Sequence, residues 1–213
     1  MKLYLGSYKP WETDEDFSRC TEMIGENKKV AVIMNPIDYS DDLERVKNSF
    51  DETKSFFESL GLEPFQLDLR DYFGNHDELE KVLHDIGMIF IYGGNTFILR
   101  RAFRQSGLDK LLPELLRNGV VYCGFSSGSC VLAPTLHGLD DTDDPNIVPS
   151  GYESEIIWDG LNLIPYSILP HYNSDHPESE SIGESIEYFE KNNLPYKTLR
   201  DGEAIVINNE EVK

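Results

Sequence analysis

The sequence has few cysteines and few basic residues, and each shortage excludes a class of protein. Three cysteines in 213 residues, Cys20, Cys123 and Cys130, are too few and too irregularly spaced for a disulfide framework or a zinc site. Nineteen lysines and arginines stand against 39 aspartates and glutamates, and this net charge of −20 argues against nucleic acid or an anionic membrane as a partner. We therefore expect a protein of the reducing cytoplasm.

Long hydrophobic runs are missing as well. The longest, residues 88–92 and 119–124, have the length of a strand, so we expect no membrane span. The first 16 residues turn acidic and contain neither an apolar core nor a cleavage site, which argues against a signal peptide. The chain is long enough to bury a core without disulfides, and it shows no repeat and no linker. A single domain over residues 1–213 is therefore expected.

Basic residues are absent altogether between residues 118 and 190, a stretch that contains thirteen carboxylates. The simpler interpretation is a solvated acidic surface that aids solubility. The alternative is that this part of the molecule disfavours anionic ligands and tolerates cationic ones. The sequence leaves both open.

Short apolar runs alternate with longer amphipathic stretches, a pattern typical of a parallel sheet covered by helices on both faces. The fold class predicted is therefore α/β, with a mostly parallel central sheet in a three-layer α/β/α arrangement. In such folds ligands lie beyond the carboxyl ends of the strands. The predicted strands are residues 2–6, 29–34, 65–69, 88–92, 120–124 and 204–207, and the predicted helices are residues 12–24, 41–60, 77–86, 96–116 with a break at 106–107, and 178–192.

Residues 124–128, Gly-Phe-Ser-Ser-Gly, follow the fifth predicted strand and fit the nucleophile-elbow pattern G-x-S-x-G. Small residues allow a sharp strand-to-helix turn, from which the hydroxyl of Ser126 would project. The next backbone N–H, that of Ser127, would then point at a developing oxyanion. A tight turn with small residues for packing is the alternative interpretation.

The paired glycines Gly93 and Gly94 follow the fourth predicted strand and could bring a second oxyanion donor close to Ser127. A serine nucleophile also needs a base. His171 follows an apolar run and is the histidine best placed at a strand end. A carboxylate must orient the imidazole, and the loop between Ser126 and His171 offers four: Asp140, Asp141, Asp143 and Asp144.

In combination these segments resemble the dipeptidase E (α-aspartyl dipeptidase) and cyanophycinase family of serine peptidases. The resemblance rests on residues 91–96, 124–129, 161–165 and 170–172 and covers most of the chain. It implies a class I glutamine amidotransferase-like (flavodoxin-like) fold, no metal, no cofactor and a cytoplasmic serine peptidase acting on small peptides as a monomer or homodimer.

Carried over to this sequence, the resemblance implies that Ser126 is the nucleophile, His171 the base, and the amides of Gly94 and Ser127 the oxyanion hole. For the acidic member we favour Asp144, with Asp141 and Asp143 as alternatives. Counting residues from Ser126 and aligning the residues that follow the loop with the family pattern select different aspartates. Two other functions remain: a binding or regulatory domain with an inactive site, and a small-molecule amidase.

The sequence departs from the family after His171, where residues 173–190 contain no arginine to recognise a substrate carboxylate. A preference for N-terminal aspartate is therefore in doubt, and neutral or basic N-terminal residues are expected instead. An arginine from outside the acidic stretch would change this expectation. The nearest in sequence are Arg100, Arg101 and Arg104.

Overall fold

A computed structural model of the chain describes residues 1–13 and 17–208. Its centre is a six-stranded sheet in which every neighbouring pair is parallel except the last, and a separate two-stranded parallel sheet lies beside it. The strands are β1 Lys2–Gly6, β2 Lys29–Ile33, β3 Glu63–Gln66, β4 Met88–Ile91, β5 Val121–Phe125, β6 Ser167–Leu169, β7 Tyr196–Thr198 and β8 Ala204–Asn208. The order in the large sheet is β3-β2-β4-β5-β1-β8, with β8 antiparallel to β1, and β6 pairs with β7.

Helices cover the sheet, and most begin at residues that favour a helix start. Asp42 caps the helix that follows it by accepting a hydrogen bond from the backbone N–H of Arg45, and Gly107 takes a left-handed conformation between two helices. The α-helices are α1 Pro10–Thr13, α2 Ser18–Glu22, α3 Leu43–Ser59, α4 His76–Leu83, α5 Thr96–Ser106, α6 Leu108–Arg117, α7 Ser127–Cys130 and α8 Ser179–Lys191, and short 3-10 helices occupy Asn35–Ile37 and Leu69–Tyr72.

The strands are apolar along their length because both faces of the sheet are buried. On β1, Leu3 and Leu5 belong to one core cluster, which includes side chains of α4, α5 and α6, whereas Tyr4 belongs to the other, which includes side chains of α2 and α3. Successive residues of a strand point to opposite faces, so the continuous apolar runs supply two cores at once. The predicted α/β class with a mostly parallel sheet between helices is confirmed.

Two predicted elements differ from the structure, and two short strands were not predicted. The predicted helix over residues 12–24 is divided, with α1 ending at Thr13 and α2 starting at Ser18, and residues 14–16 lie outside the described part of the chain. The third strand comes two residues early because residues 69–72 form a 3-10 helix capped by Asp68. Strands β6 and β7 are missing from the predicted strands, since three residues are too few to show a period.

The sheet brings several chain segments to one edge. Gly6 is in register with Phe125, and Ile91 with Gly124, so β1, β4 and β5 end together. Strand β8 runs the other way and starts opposite Gly6, which brings the residues before β8 to the same edge. Within the described residues, no helix has both the length and the apolar character needed to cross a membrane.

Candidate active site

Ser126 lies in a strained turn between β5 and α7. Its φ of 48° and ψ of −119° fall outside the regions that non-glycine residues favour. The flanking glycines are required by close packing. A Cβ on Gly124 would lie 2.9 Å from the carbonyl carbon of Gly128, and one on Gly128 would lie 2.9 Å from the carbonyl oxygen of Ile91. The turn therefore has the backbone geometry that the G-x-S-x-G pattern predicts.

The segment after β4 approaches the same turn. Gly94 has a φ of 142°, and a Cβ there would lie 2.6 Å from the carbonyl oxygen of Pro36, so only glycine fits without displacing the backbone. Asn95 follows and caps α5 by accepting hydrogen bonds from two backbone N–H groups. Across residues 1–13 and 17–208, the backbone N–H groups of Gly94 and Ser127 have no hydrogen-bond acceptor. Two unused donors therefore lie beside Ser126.

His171 is buried at the end of β6, with only 1% of its surface exposed. Its Nδ1 lies 2.7 Å from Oδ1 of Asp201. Its backbone N–H donates to Oγ of Ser7 at 2.8 Å, and the Ser7 hydroxyl in turn donates to Oδ1 of Asp201 at 2.8 Å. This network holds the imidazole by its Nδ1 side and leaves Nε2 as the nitrogen available to the cavity.

The carboxylate beside His171 is therefore Asp201 and not Asp144, which we favoured from the sequence. The carboxylate of Asp144 accepts hydrogen bonds from the main chain and side chain of Asn146, and its carbonyl accepts one from Asn95. The loop that contains Asp144 packs against the N-terminus of α5, where backbone N–H groups and the helix dipole favour acidic residues.

The other two candidate acids also lie away from the imidazole. Asp143 accepts a hydrogen bond from the backbone N–H of Thr96. Burial raises the pKa of Asp143 to about 6, although this hydrogen bond acts in the opposite direction. Asp141 is exposed on the loop. The acidic loop thus supports the helix that follows Gly94, whereas the carboxylate beside His171 comes from the loop before β8.

His176 and Glu178 are two neighbours of His171 that the sequence interpretation missed. The rings of His171 and His176 stack with centroids 3.7 Å apart at 12°. Burial and the nearby His176 lower the pKa of His171 below its usual value, although Asp201 acts in the opposite direction. Burial, together with the charges of Asp143 and Asp201, raises the pKa of Glu178 to about 7.

Nitrogen and oxygen atoms of His171, His176 and Glu178 lie within 4.8 Å of one another, close enough for a metal ion to bridge them. Their orientation is poor for that role. The two rings are nearly parallel, so their nitrogen lone pairs do not converge, and Nδ1 of His176 already accepts the backbone N–H of Glu178 at 3.3 Å. The geometry of these three side chains therefore disfavours a metal site.

A cavity of about 210 Å³ contains Ser126 and His171 together with Gly94. Two cationic side chains line it, Lys9 after β1 and Arg45 on α3, and both lie outside the acidic stretch. The volume is large enough for a few amino-acid residues at most. The cavity is therefore of a size that suits a small ligand.

The three arginines that follow Gly94 in sequence are engaged elsewhere. Arg100 pairs with Asp109 at 3.1 Å, and Arg104 pairs with Glu153 at 2.8 Å. Arg101 is fully buried and donates to backbone carbonyls, including that of Pro145 at 2.7 Å. They support the loops of the acidic stretch, and the cavity lining does not include them.

A family model described as peptidase family S51 matches residues 16–213. The chain belongs to peptidase family S51. Among known S51-like relatives, an uncharacterised peptidase of Listeria innocua is 30% identical over 159 residues, covering 75% of this chain and 72% of that protein. Peptidase E of Streptomyces coelicolor is 33% identical over 141 residues, covering 64% of this chain and 54% of that protein.

A Drosophila melanogaster protein named as a candidate α-aspartyl dipeptidase is 30% identical over 138 residues, which cover 62% of this chain and 54% of the relative. Among solved structures, a candidate peptidase E from Listeria monocytogenes superposes with a TM-score of 0.75 at 26% identity, covering 99% of this chain and 95% of that one. The resemblance to the peptidase E family is confirmed, as is the fold it implied.

Proposed function

We propose that this S51 chain is a serine peptidase that hydrolyses dipeptides or other small peptides through an acyl-enzyme on Ser126. The observation that carries the proposal is the pairing of buried His171 with Asp201 in the cavity that also contains the strained turn of Ser126. A buried imidazole held by a carboxylate, in the same cavity as a serine at a strained turn, is an arrangement that can activate the serine for acyl transfer.

In the proposed reaction the Nε2 atom of His171 takes the proton of Ser126 as its oxygen attacks the peptide carbonyl. Asp201 keeps the proton of the imidazole on Nδ1 and stabilises the imidazolium that forms. The same imidazolium then donates its proton to the departing amine. Because burial lowers the pKa of His171, the imidazole is neutral and able to act as a base at neutral pH.

The oxyanion of the tetrahedral intermediate would be bound by the backbone N–H groups of Gly94 and Ser127. Both donors lack an acceptor in the described part of the chain, so no existing hydrogen bond has to break when the oxyanion forms. The fixed turn at Ser126 and the close packing of Gly94 against Pro36 keep the donors in place. Such pre-positioned donors stabilise the transition state more than the substrate.

Glu178 is the group we propose for the α-ammonium of the substrate. Its carboxyl lines the cavity, and Oε2 lies 3.8 Å from Nε2 of His171. Two further carboxylates lie close enough to raise its pKa, so a cation beside it would be stabilised. A free N-terminus is the cation that a dipeptide provides.

An amidase of the glutamine amidotransferase type is disfavoured because the two cysteines near the turn are unsuited to attack. Cys130 is buried and burial raises the pKa of its thiol, while its Sγ donates to the carbonyl of Ile168. Cys123 is buried within β5. All three cysteines are free thiols, which agrees with the cytoplasmic location that we also propose.

Labelling with a fluorophosphonate probe, combined with release of free amino acids from a dipeptide library, tests the proposal. The wild-type chain should be labelled and active, and Ser126→Ala should lose both properties without a change in circular dichroism. Ser150→Ala, at an exposed loop serine, is the matched control and should behave as wild type. Equal labelling of wild type and Ser126→Ala, or a folded wild-type chain that hydrolyses no peptide, would refute it.

A further inference from the structure

Arg45 places a positive charge in the candidate active site. It is the third residue of α3, and its backbone N–H donates to the capping carboxylate of Asp42 at 2.9 Å, which fixes the position of its Cα. The side chain lines the cavity that contains Ser126. The charge of Arg45 also acts on the hydroxyl of Tyr39. It lowers the pKa of Tyr39, whereas burial raises that pKa.

Among the side chains that the structure describes, those of residues 1–11 and 17–208, no carboxylate lies within 4.0 Å of the guanidinium of Arg45. The one hydrogen bond between Arg45 and an acidic side chain in these residues is that from its backbone N–H to Asp42. Lys9, the other cation in the cavity, is already paired with Glu52 at 3.1 Å and lies over the ring of Trp11 at 5.8 Å. Of the two cationic side chains that line the cavity, Arg45 is therefore the better placed to bind an anionic group of a substrate.

The walls of the cavity carry opposite charges. Arg45 is on α3. Glu178 immediately precedes α8, and the segment before it contains His171 and His176, which also line the cavity. Tyr39 lies within electrostatic range of both, since Arg45 lowers its pKa and Glu178 raises it. A smaller recess of about 30 Å³, lined by Tyr39 and Arg45 but by no acidic side chain, extends the cavity on the α3 side. A substrate carboxylate would be stabilised on that side and repelled near Glu178.

Resting on the function proposed above, we propose that Arg45 binds a carboxylate of the peptide substrate. The preferred substrate is then a short peptide that carries a carboxylate within a few bonds of the scissile carbonyl. Arginine suits this role because its planar guanidinium can donate two parallel hydrogen bonds to one carboxylate. This assignment revises the expectation that an acidic substrate would find no partner. Arg45 is an arginine from outside the acidic stretch, although it is not one of the three that are nearest in sequence.

Two carboxylates of a small peptide have this chemistry: the side chain of an N-terminal aspartate and the C-terminal carboxylate of a dipeptide. Matched substrates separate them. Asp-Leu against Asn-Leu removes the side-chain charge, and Ala-Leu against Ala-Leu-amide removes the C-terminal charge. The pair that shows the larger ratio of kcat/KM identifies the carboxylate that Arg45 binds.

Arg45→Gln is the test variant, because glutamine at the third helical position supports the N-terminus of α3 and the fold should be retained. We expect wild type to prefer the carboxylate form in one pair by about tenfold or more, which is typical of a charged hydrogen bond. Arg45→Gln should lose that preference while it hydrolyses the uncharged member at a similar rate.

Lys47→Gln is the matched control, since it removes the same charge two residues along α3, from an exposed side chain paired with Asp51. It should keep the wild-type preference. The inference is overturned if wild type shows no preference in either pair, or if Arg45→Gln keeps it. A wild-type chain that neither hydrolyses peptides nor reacts with a fluorophosphonate would instead remove the proposed function, and this inference with it.

Discussion

The Nδ1 atom of His171 lies 2.7 Å from Oδ1 of Asp201, although 30 residues separate the two in sequence. The hydroxyl of Ser7 joins them, accepting a hydrogen bond from the backbone of His171 and donating one to Asp201. His171 itself has a φ of 60°, a strained conformation that needs such support. Asp201 thus fixes the tautomer and direction of the imidazole, and Ser7 ties that carboxylate to the backbone of His171.

Asp201→Asn should lower kcat by up to about 10⁴-fold, because the carboxylate would set the imidazole tautomer as it does in Ser-His-Asp proteases. Asp141→Asn and Asp144→Asn are the controls and should change kcat less than about threefold, because their side chains do not reach the imidazole. Steady-state kinetics on one dipeptide suffices. A large loss in Asp144→Asn with little effect in Asp201→Asn would show that the resting geometry is not the reacting one.

The pH dependence of kcat/KM should show the titration of Glu178. Its pKa is raised to about 7, so the carboxyl becomes charged, and able to bind an ammonium group, as the pH rises through 7. Wild-type kcat/KM should therefore rise with a midpoint near pH 7. In Glu178→Gln the rise near pH 7 should disappear. A rise in kcat/KM at lower pH should remain, because His171 must lose its proton to act as a base and its pKa is below its usual 6.5. An unchanged midpoint in the variant would contradict this role.

Glu178 should also make stability depend on pH. Its pKa is raised from 4.5 in the unfolded chain to about 7 in the folded one, so the unfolded state ionises first as the pH rises. Glu178 therefore costs stability progressively between about pH 4.5 and 7, and fully above 7. Because the side chain is 37% exposed, we expect a discounted effect of about 1 kcal/mol, or 2–4 °C in Tm.

Thermal unfolding of Glu178→Gln checks this expectation. Its Tm should exceed that of wild type at pH 8 and match it at pH 4. Glu187→Gln, at an exposed position in the middle of α8, should show no such difference between the two pH values. A Glu178→Gln variant that is less stable than wild type at pH 8 would mean that the charged carboxyl makes favourable contacts in the fold.

Gly94→Ala should abolish activity by displacing an oxyanion donor. The added Cβ would lie 2.6 Å from the carbonyl oxygen of Pro36, and the φ of 142° is strained for alanine, so the segment must move. Loss of one donor costs about 10²–10³-fold in kcat. Gly183→Ala, in α8 with open space around it, should keep full activity and raise stability by about 0.5–1 kcal/mol. Full activity in a folded Gly94→Ala would exclude its amide from the mechanism.

Local patterns predicted the sheet and most of the candidate site. The first, second, fourth and fifth strands are continuous apolar runs, and the glycines around Ser126 and at Gly94 have conformations or contacts that no other residue allows. His171 could be chosen because it follows a strand. These features depend on residues adjacent in sequence, where spacing and residue type carry the signal.

The remaining members of the site depend on the topology and not on any local pattern. Asp201 lies between β7 and β8. The parallel pairing of β7 with β6 brings it beside His171, and the antiparallel pairing of β8 with β1 brings it beside Ser7. The spacing of apolar residues predicts the helix that contains Arg45. It does not predict that the first turn of this helix lines the cavity. No local pattern distinguishes Asp201 from the other aspartates. The spacing along the sequence therefore favoured the loop between Ser126 and His171.

The position of Asp201 near the end of the described chain has a consequence for protein synthesis. Ser126 and His171 leave the ribosome before Asp201, and β8, which holds Asp201 in place, follows it. A nascent chain would thus contain the proposed nucleophile and base before the carboxylate that orients the imidazole. On this order of assembly, the proposed activity appears only after Asp201 and β8 have been added, and chains that stop before Asp201 would not hydrolyse peptides.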